Sequence, residues 1–129
     1  MSIADQLRFD DKGIVPAAIT DHQTNRLLVL CYLNREALEK TAAEGMVYLY
    51  RRSRQQVVLK GETSGHLQRV REIRINCEAN SLEIRVDQEV GACHAGYFSC
   101  YYRHWDGDQS QWVEHEQRVF DPDAVYPKP

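Results

Sequence analysis

Seven consecutive residues, Leu27-Leu28-Val29-Leu30-Cys31-Tyr32-Leu33, form an apolar run that ends at Asn34. The run is too short for a buried helix and lacks the alternation of a half-exposed strand. It therefore predicts a strand covered on both faces. Such a strand rules out an open single layer, because something must lie on each side of it. A helix follows directly in the chain. Asn34 reads as an N-cap, Glu36 and Lys40 are spaced i,i+4, and Gly45 supplies a stop, so a helix is predicted over 35–44, the longest in the chain.

The rest of the pattern is mostly β. Residues 13–19 read as an extended lead into a first strand, and residues 21–25 as a turn. Short strands are expected over 46–50 and 56–59. Leu82-Glu83-Ile84-Arg85-Val86-Asp87 alternates apolar and charged residues, the mark of a half-exposed strand. Ile73 and Ile75 are in phase with Cys77 and predict its partner, joined through a turn over 78–81. A further strand is expected over 97–103. The fold class is α+β, mainly β, with one or two helices.

At 129 residues and 15.0 kDa the chain fits one domain over 1–129, with a core about 13–103 and an acidic, peripheral segment over 104–129. A domain this small buries only about two thirds of its unfolded surface, so a metal or a partner subunit would add needed stability. No apolar run approaches the roughly 20 residues of a membrane span. The N-terminus lacks the pattern of a secretion signal, so a cytoplasmic protein is expected.

The formal charge is −3, which argues against general nucleic-acid binding, but the charge is unevenly placed. Residues 51–74 hold seven cations and two acids, whereas 104–129 hold two cations and six acids. The basic stretch is either a solvated strand pair with charged edges or a site for an anionic ligand such as phosphate.

Of the four cysteines, Cys31 sits in the apolar run and reads as a small core residue. Cys77, Cys93 and Cys100 fall within 24 residues. A disulfide is disfavoured in the cytoplasm. Inert buried thiols and a zinc site both remain open, since the spacing is that of no zinc finger or ribbon. Three protein ligands plus water is the arrangement of catalytic zinc. His94, directly after Cys93, would be a fourth ligand or the base that takes a proton from metal-activated water.

Arg52-Ser53-Arg54, Lys60-Gly61-Glu62-Thr63-Ser64-Gly65, Gly91-Ala92-Cys93-His94-Ala95-Gly96 and Ser99-Cys100-Tyr101-Tyr102-Arg103 together resemble the phosphoribosyl-AMP cyclohydrolase family. The resemblance runs from about Gly13 to Arg103. It implies an enzyme of histidine biosynthesis that hydrolytically opens the adenine ring of N1-(5-phosphoribosyl)-AMP between N1 and C6. It further implies a zinc-dependent homodimer with sites at the subunit interface. Cys93 and Cys100 would come from one chain and Cys77 from the partner, with His94 as candidate general base. The doubly phosphorylated substrate would meet Arg51, Arg52, Arg54 and Lys60. Gly61 and Gly65 would allow close backbone approach, and Thr63, Ser64 and Gln68 would add neutral hydrogen bonds. The pyrophosphohydrolase domain sometimes fused to this family is not expected in 129 residues.

Several positions depart from the family pattern. The usual Asp-Cys-Asp-x-Asp run, expected to bind magnesium, reads Asn76-Cys77-Glu78-Ala79-Asn80, with one carboxylate left. Magnesium prefers anionic oxygen, so a weak site supplemented by substrate phosphate, or none, is expected. Val58 stands where Trp is usual, Arg51 where Ser is usual, and His66 where Asn is common. These changes keep two alternatives open: a related zinc hydrolase acting on another purine-like nucleotide, and a non-catalytic zinc-stabilised nucleotide-binding dimer.

Overall fold

The computed structural model describes residues 2–126. A short 3-10 turn, Ile3–Gln6, leads into β1 (Val15–Asp21) and β2 (Leu27–Leu33), followed by α1 (Arg35–Glu44). The hairpin β3 (Tyr48–Arg51) and β4 (Gln56–Leu59) comes next, and then β5 (Gln68–Ile75) and β6 (Leu82–Gln88). The chain closes with β7 (Arg103–Asp106), β8 (Gln111–Glu114) and α2 (Pro122–Val125). The mainly β, α+β architecture matches the sequence pattern.

The main sheet has the order β2-β1-β6-β5, with β1 and β6 parallel and the outer pairs antiparallel. Ile84 sits between Ile19 and Ile73 in register, so the alternating strand is central in the sheet. One face of the sheet buries Val15, Ala17, Ile19, Leu28, Leu33, Ile84 and Val86 against Ala37 and Leu38 of α1. The Asn34 side chain accepts from the Ala37 N–H at 2.9 Å, and Gly45 ends the helix in the left-handed region.

Two expectations fail here. The run 27–33 is not covered on both faces: β2 is an edge strand, and Leu27 and Leu30 are 38% and 47% exposed. With α1 on one side only, the other face of β2 keeps its apolar residues in the open. Residues 97–102 are irregular, with bends at 98–100, rather than a strand, because Ser99 Oγ donates to the Leu27 carbonyl (2.6 Å) and accepts from the Tyr101 N–H (2.9 Å). The strand begins only at Arg103.

The acidic C-terminal segment is also less peripheral than its composition implies. After the β7–β8 hairpin it returns to residues 91–96, where the Val119 N–H donates to the Gly96 carbonyl at 2.8 Å. A Cβ at Gly96 would lie 2.7 Å from the Phe120 carbonyl oxygen, so only glycine admits this approach. No helix among the described residues is long and apolar enough to cross a membrane.

Candidate active site

The hairpin β3–β4 and the turn after it form one wall of a cavity of about 630 Å³. Arg51, Arg54, Lys60, Thr63, Ser64 and His94 all line it, together with Glu62 and an apolar strip of Leu49, Val58 and Leu59. A basic, hydroxyl-rich wall with one imidazole suits a phosphorylated ligand. Gly61 also lines it, but its glycine has an internal cause. At φ +89° a Cβ would lie 2.4 Å from the His66 carbonyl oxygen. Its small size serves the turn, whose closure is the Gly65 N–H to Gly61 carbonyl hydrogen bond of 2.7 Å.

Three sequence-predicted substrate residues do not line this cavity. Gly65 stands only in the turn. The Arg52 guanidinium lies over the Tyr32 ring, 4.3 Å from its centroid. Gln68 is fully buried and spends its Nε2 on Gln88 Oε1 at 2.8 Å, because β5 turns it into the sheet's interior. The other cations of the basic stretch are neutralised along the sheet: Arg69 by Glu89, Arg71 by Asp87, and Arg74 by Glu72 and Glu83. The basic stretch is thus both a charged strand edge and an anion site, split between β5 and the β3–β4 hairpin.

Neither Cys93 nor Cys100 lines this cavity: Cys93 precedes His94 in the chain, and Cys100 lines a separate pocket with Tyr101, Arg103 and Trp112. The Cys93 N–H donates to the Tyr97 carbonyl at 3.1 Å, and the Cys100 N–H to the Leu28 carbonyl at 2.7 Å, which folds 93–100 into a closed loop. The Ala95 N–H points at Cys93 Sγ, 3.4 Å away. Burial, reinforced by the adjoining Cys93, pushes the Cys100 thiol up to about 11. Lys60 Nζ donates to the Ala92 carbonyl at 2.9 Å and so joins the basic wall to this loop. Burial holds the Lys60 ammonium below its ordinary value, opposed by the nearby Cys100, Cys31 and Cys93. Cys31 itself is buried beneath the site, its thiol pushed up to about 12 by that burial.

Two soft donors side by side fit half of a tetrahedral zinc site, and a divalent cation there would displace their protons. Cys77 is exposed in the turn between β5 and β6, and among the described residues no three His, Cys, Asp or Glu side chains converge. The magnesium reading of 76–80 fits poorly. Asn76 Oδ1 accepts the N–H groups of Asn80 and Ser81, both at 2.9 Å, and its Nδ2 donates to Asn80 Oδ1 at 2.6 Å. Those amides hold the turn, leaving Glu78 as its one carboxylate.

Sequence reasoning missed Tyr126, which lines the cavity from the far end of the chain. The helix signal before it was legible: Asp121 caps at Asp123 N–H (3.0 Å), and Pro122 occupies the first helical position. Nothing local shows where that helix docks.

The motifs converge here with the comparisons. A sequence model described as Phosphoribosyl-AMP cyclohydrolase matches residues 29–102. The chain belongs to the phosphoribosyl-AMP cyclohydrolase family. It is 42% identical over 128 residues to the Phosphoribosyl-AMP cyclohydrolase of Chloroherpeton thalassium, covering 99% of this chain and 91% of that one. It is 47% identical over 116 residues to the protein of the same name from Methanosarcina barkeri, covering 90% and 86%. The Histidine biosynthesis bifunctional protein HisIE of Thermoanaerobacter pseudethanolicus is 41% identical over 97% of this chain, which spans 57% of its length. The family match covers the cavity wall and the thiol loop but stops before β7, β8 and α2.

Proposed function

We propose that this chain adds water across the N1–C6 bond of the adenine ring of N1-(5-phosphoribosyl)-AMP, the phosphoribosyl-AMP cyclohydrolase reaction of histidine biosynthesis. The observation that carries the reading is a single cavity in which His94 shares a wall with Arg51, Arg54 and Lys60, in a chain of this family.

The residues divide the work. Arg51 and Arg54 take phosphate oxygens through charge-assisted hydrogen bonds. Thr63 and Ser64 donate to phosphate or sugar oxygens. Lys60 sets the distance between that wall and the thiol loop through its bond to the Ala92 carbonyl. His94 accepts one proton of the attacking water as the C6–O bond forms and returns it to N1 as the N1–C6 bond breaks, while the second water proton leaves the C6 hydroxyl as it becomes the carboxamide oxygen.

Zinc held by Cys93 and Cys100, completed by Cys77 of a second copy of the chain, would supply Lewis-acid activation of water at neutral pH. That division needs a homodimer; it is supported by the exposure of Cys77, beside which no group of three His, Cys, Asp or Glu converges among the described residues. We assign no magnesium site to Asn76, Glu78 and Asn80; any magnesium would arrive with the substrate phosphates. A second reading, turnover of another purine-like nucleotide, draws on the aliphatic Val58 on the cavity wall.

A spectrophotometric assay with purified protein tests the proposal. Phosphoribosyl-AMP is consumed, the activity falls on chelation, and zinc restores it. No ring opening in the zinc-loaded protein, with and without Mg²⁺, sinks the reading. Failure to restore growth to a histidine-requiring strain, with turnover of a different nucleotide, selects the second reading.

A further inference from the structure

The cavity beside His94 accounts for the substrate's phosphates more fully than for its base. Its cations and hydroxyls lie on the β3–β4 hairpin and the turn after it, whereas a purine presents two extended π faces. Besides the aliphatic strip of Leu49, Val58 and Leu59, the lining contains one benzenoid ring, that of Tyr126. Stacking on an aromatic side chain is the common way to hold a base without reading its edges.

We propose that Tyr126 is the base-stacking residue of this enzyme, presenting its ring to the adenine while the arginines hold the phosphates. The proposal deepens the reading of the cavity as the nucleotide site and rests on it.

The segment that delivers Tyr126 is built rather than trailing. Val119 and Phe120 donate their N–H groups to the Gly96 carbonyl at 2.8 and 3.3 Å, two residues beyond His94. The Phe120 ring stands edge-on to His66, with centroids 4.6 Å apart. Asp121 caps α2, and the Tyr126 N–H closes it on the Pro122 carbonyl at 2.9 Å. The Phe120 and Tyr126 rings lie 6.4 Å apart, so an aromatic series runs from His66 to the cavity. The loop that carries His94 and the segment that carries Tyr126 are therefore fixed to each other. A base held on Tyr126 is positioned relative to the imidazole.

Calorimetric binding of AMP and of ribose 5-phosphate to the full-length protein separates base recognition from phosphate recognition. Tyr126→Ala is expected to weaken AMP on the order of tenfold and leave ribose 5-phosphate unchanged. Tyr126→Phe and Tyr126→Trp, which keep a ring, are expected to retain AMP affinity, and Arg54→Ala to weaken both ligands. Equal loss of both ligands in Tyr126→Ala, or AMP affinity in Tyr126→Phe as poor as in Tyr126→Ala, overturns the stacking role. So does an unchanged AMP affinity in Tyr126→Ala while Arg54→Ala loses both ligands. If Arg54→Ala changes neither ligand, the cavity itself is misassigned and the assignment of Tyr126 falls with it.

Discussion

The loop over 91–100 carries two cysteines and the turn over 76–81 one, and the two segments are built for opposite surroundings. In the loop, Cys93 is 4% exposed, its backbone is tied to Tyr97, and Lys60 anchors the preceding carbonyl. In the turn, Cys77 is exposed and the adjacent amides bond to each other and to the backbone. The loop holds two thiols close together on a backbone fixed by hydrogen bonds. The turn is held by its own amides and carries one thiol, Cys77, and one carboxylate, Glu78. Under the proposed function the two loop thiols are half of a site, and Cys77 of a second copy of the chain would supply the third ligand.

The largest effect should come from breaking the loop. Cys100→Ser or Cys93→Ser is expected to remove stoichiometric zinc and lower turnover about 10³-fold or more, since metal activation contributes several kcal/mol. Elemental analysis with the ring-opening assay checks this, and zinc retained in both variants refutes the ligand assignment.

Cys77→Ser sharpens the comparison further. Alone it should be as inactive as the loop variants. Co-refolded in equal amounts with Cys93→Ser, it should regain about one quarter of wild-type activity: half the dimers are mixed, and each mixed dimer has one intact site. No recovery in the mixture would place all ligands in one chain.

His94→Ala should keep zinc and lose about 10²- to 10⁴-fold in turnover, the usual range for a missing general base. Near-normal turnover would remove His94 from that role. The smallest effect belongs to the turn. Asn76→Ala should cost about 1 kcal/mol of stability through the lost backbone hydrogen bonds, read as a lowered Tm. Magnesium titration of the substrate-free protein should show no binding in either form. Magnesium binding that Asn76→Ala abolishes would reverse the reading of the turn as structural.

How much of this was legible depended on range. Asn34, Glu36 and Gly45 announced α1 because capping involves neighbours three or four residues away. The alternation at 82–87 announced β6 because one face of a strand follows directly from its period. Within the site, Arg51, Arg54, Lys60, Thr63, Ser64 and His94 were all named from the sequence and share one cavity. The failures were failures of placement. Leu30 is apolar enough for a core yet lies on the uncovered side of an edge strand. Gln68 looks like a substrate donor in a polar turn, but its backbone has already entered β5 and its amide points inward to Gln88.

The sequence by itself determined the types of the elements from β1 to β6, the donor chemistry and the family, because propensity, period and motif spacing are properties of neighbouring residues. Only the tertiary structure decided which cations stay free for a ligand, which thiols lie together, and that Tyr126 lines the cavity. Those outcomes depend on contacts between residues far apart in the chain, such as Lys60 with Ala92 and Val119 with Gly96. No local pattern encodes where two distant segments meet. Their meeting is set by the packing of a sheet with one helix on its inner face and a C-terminal segment that must return across residues 91–96.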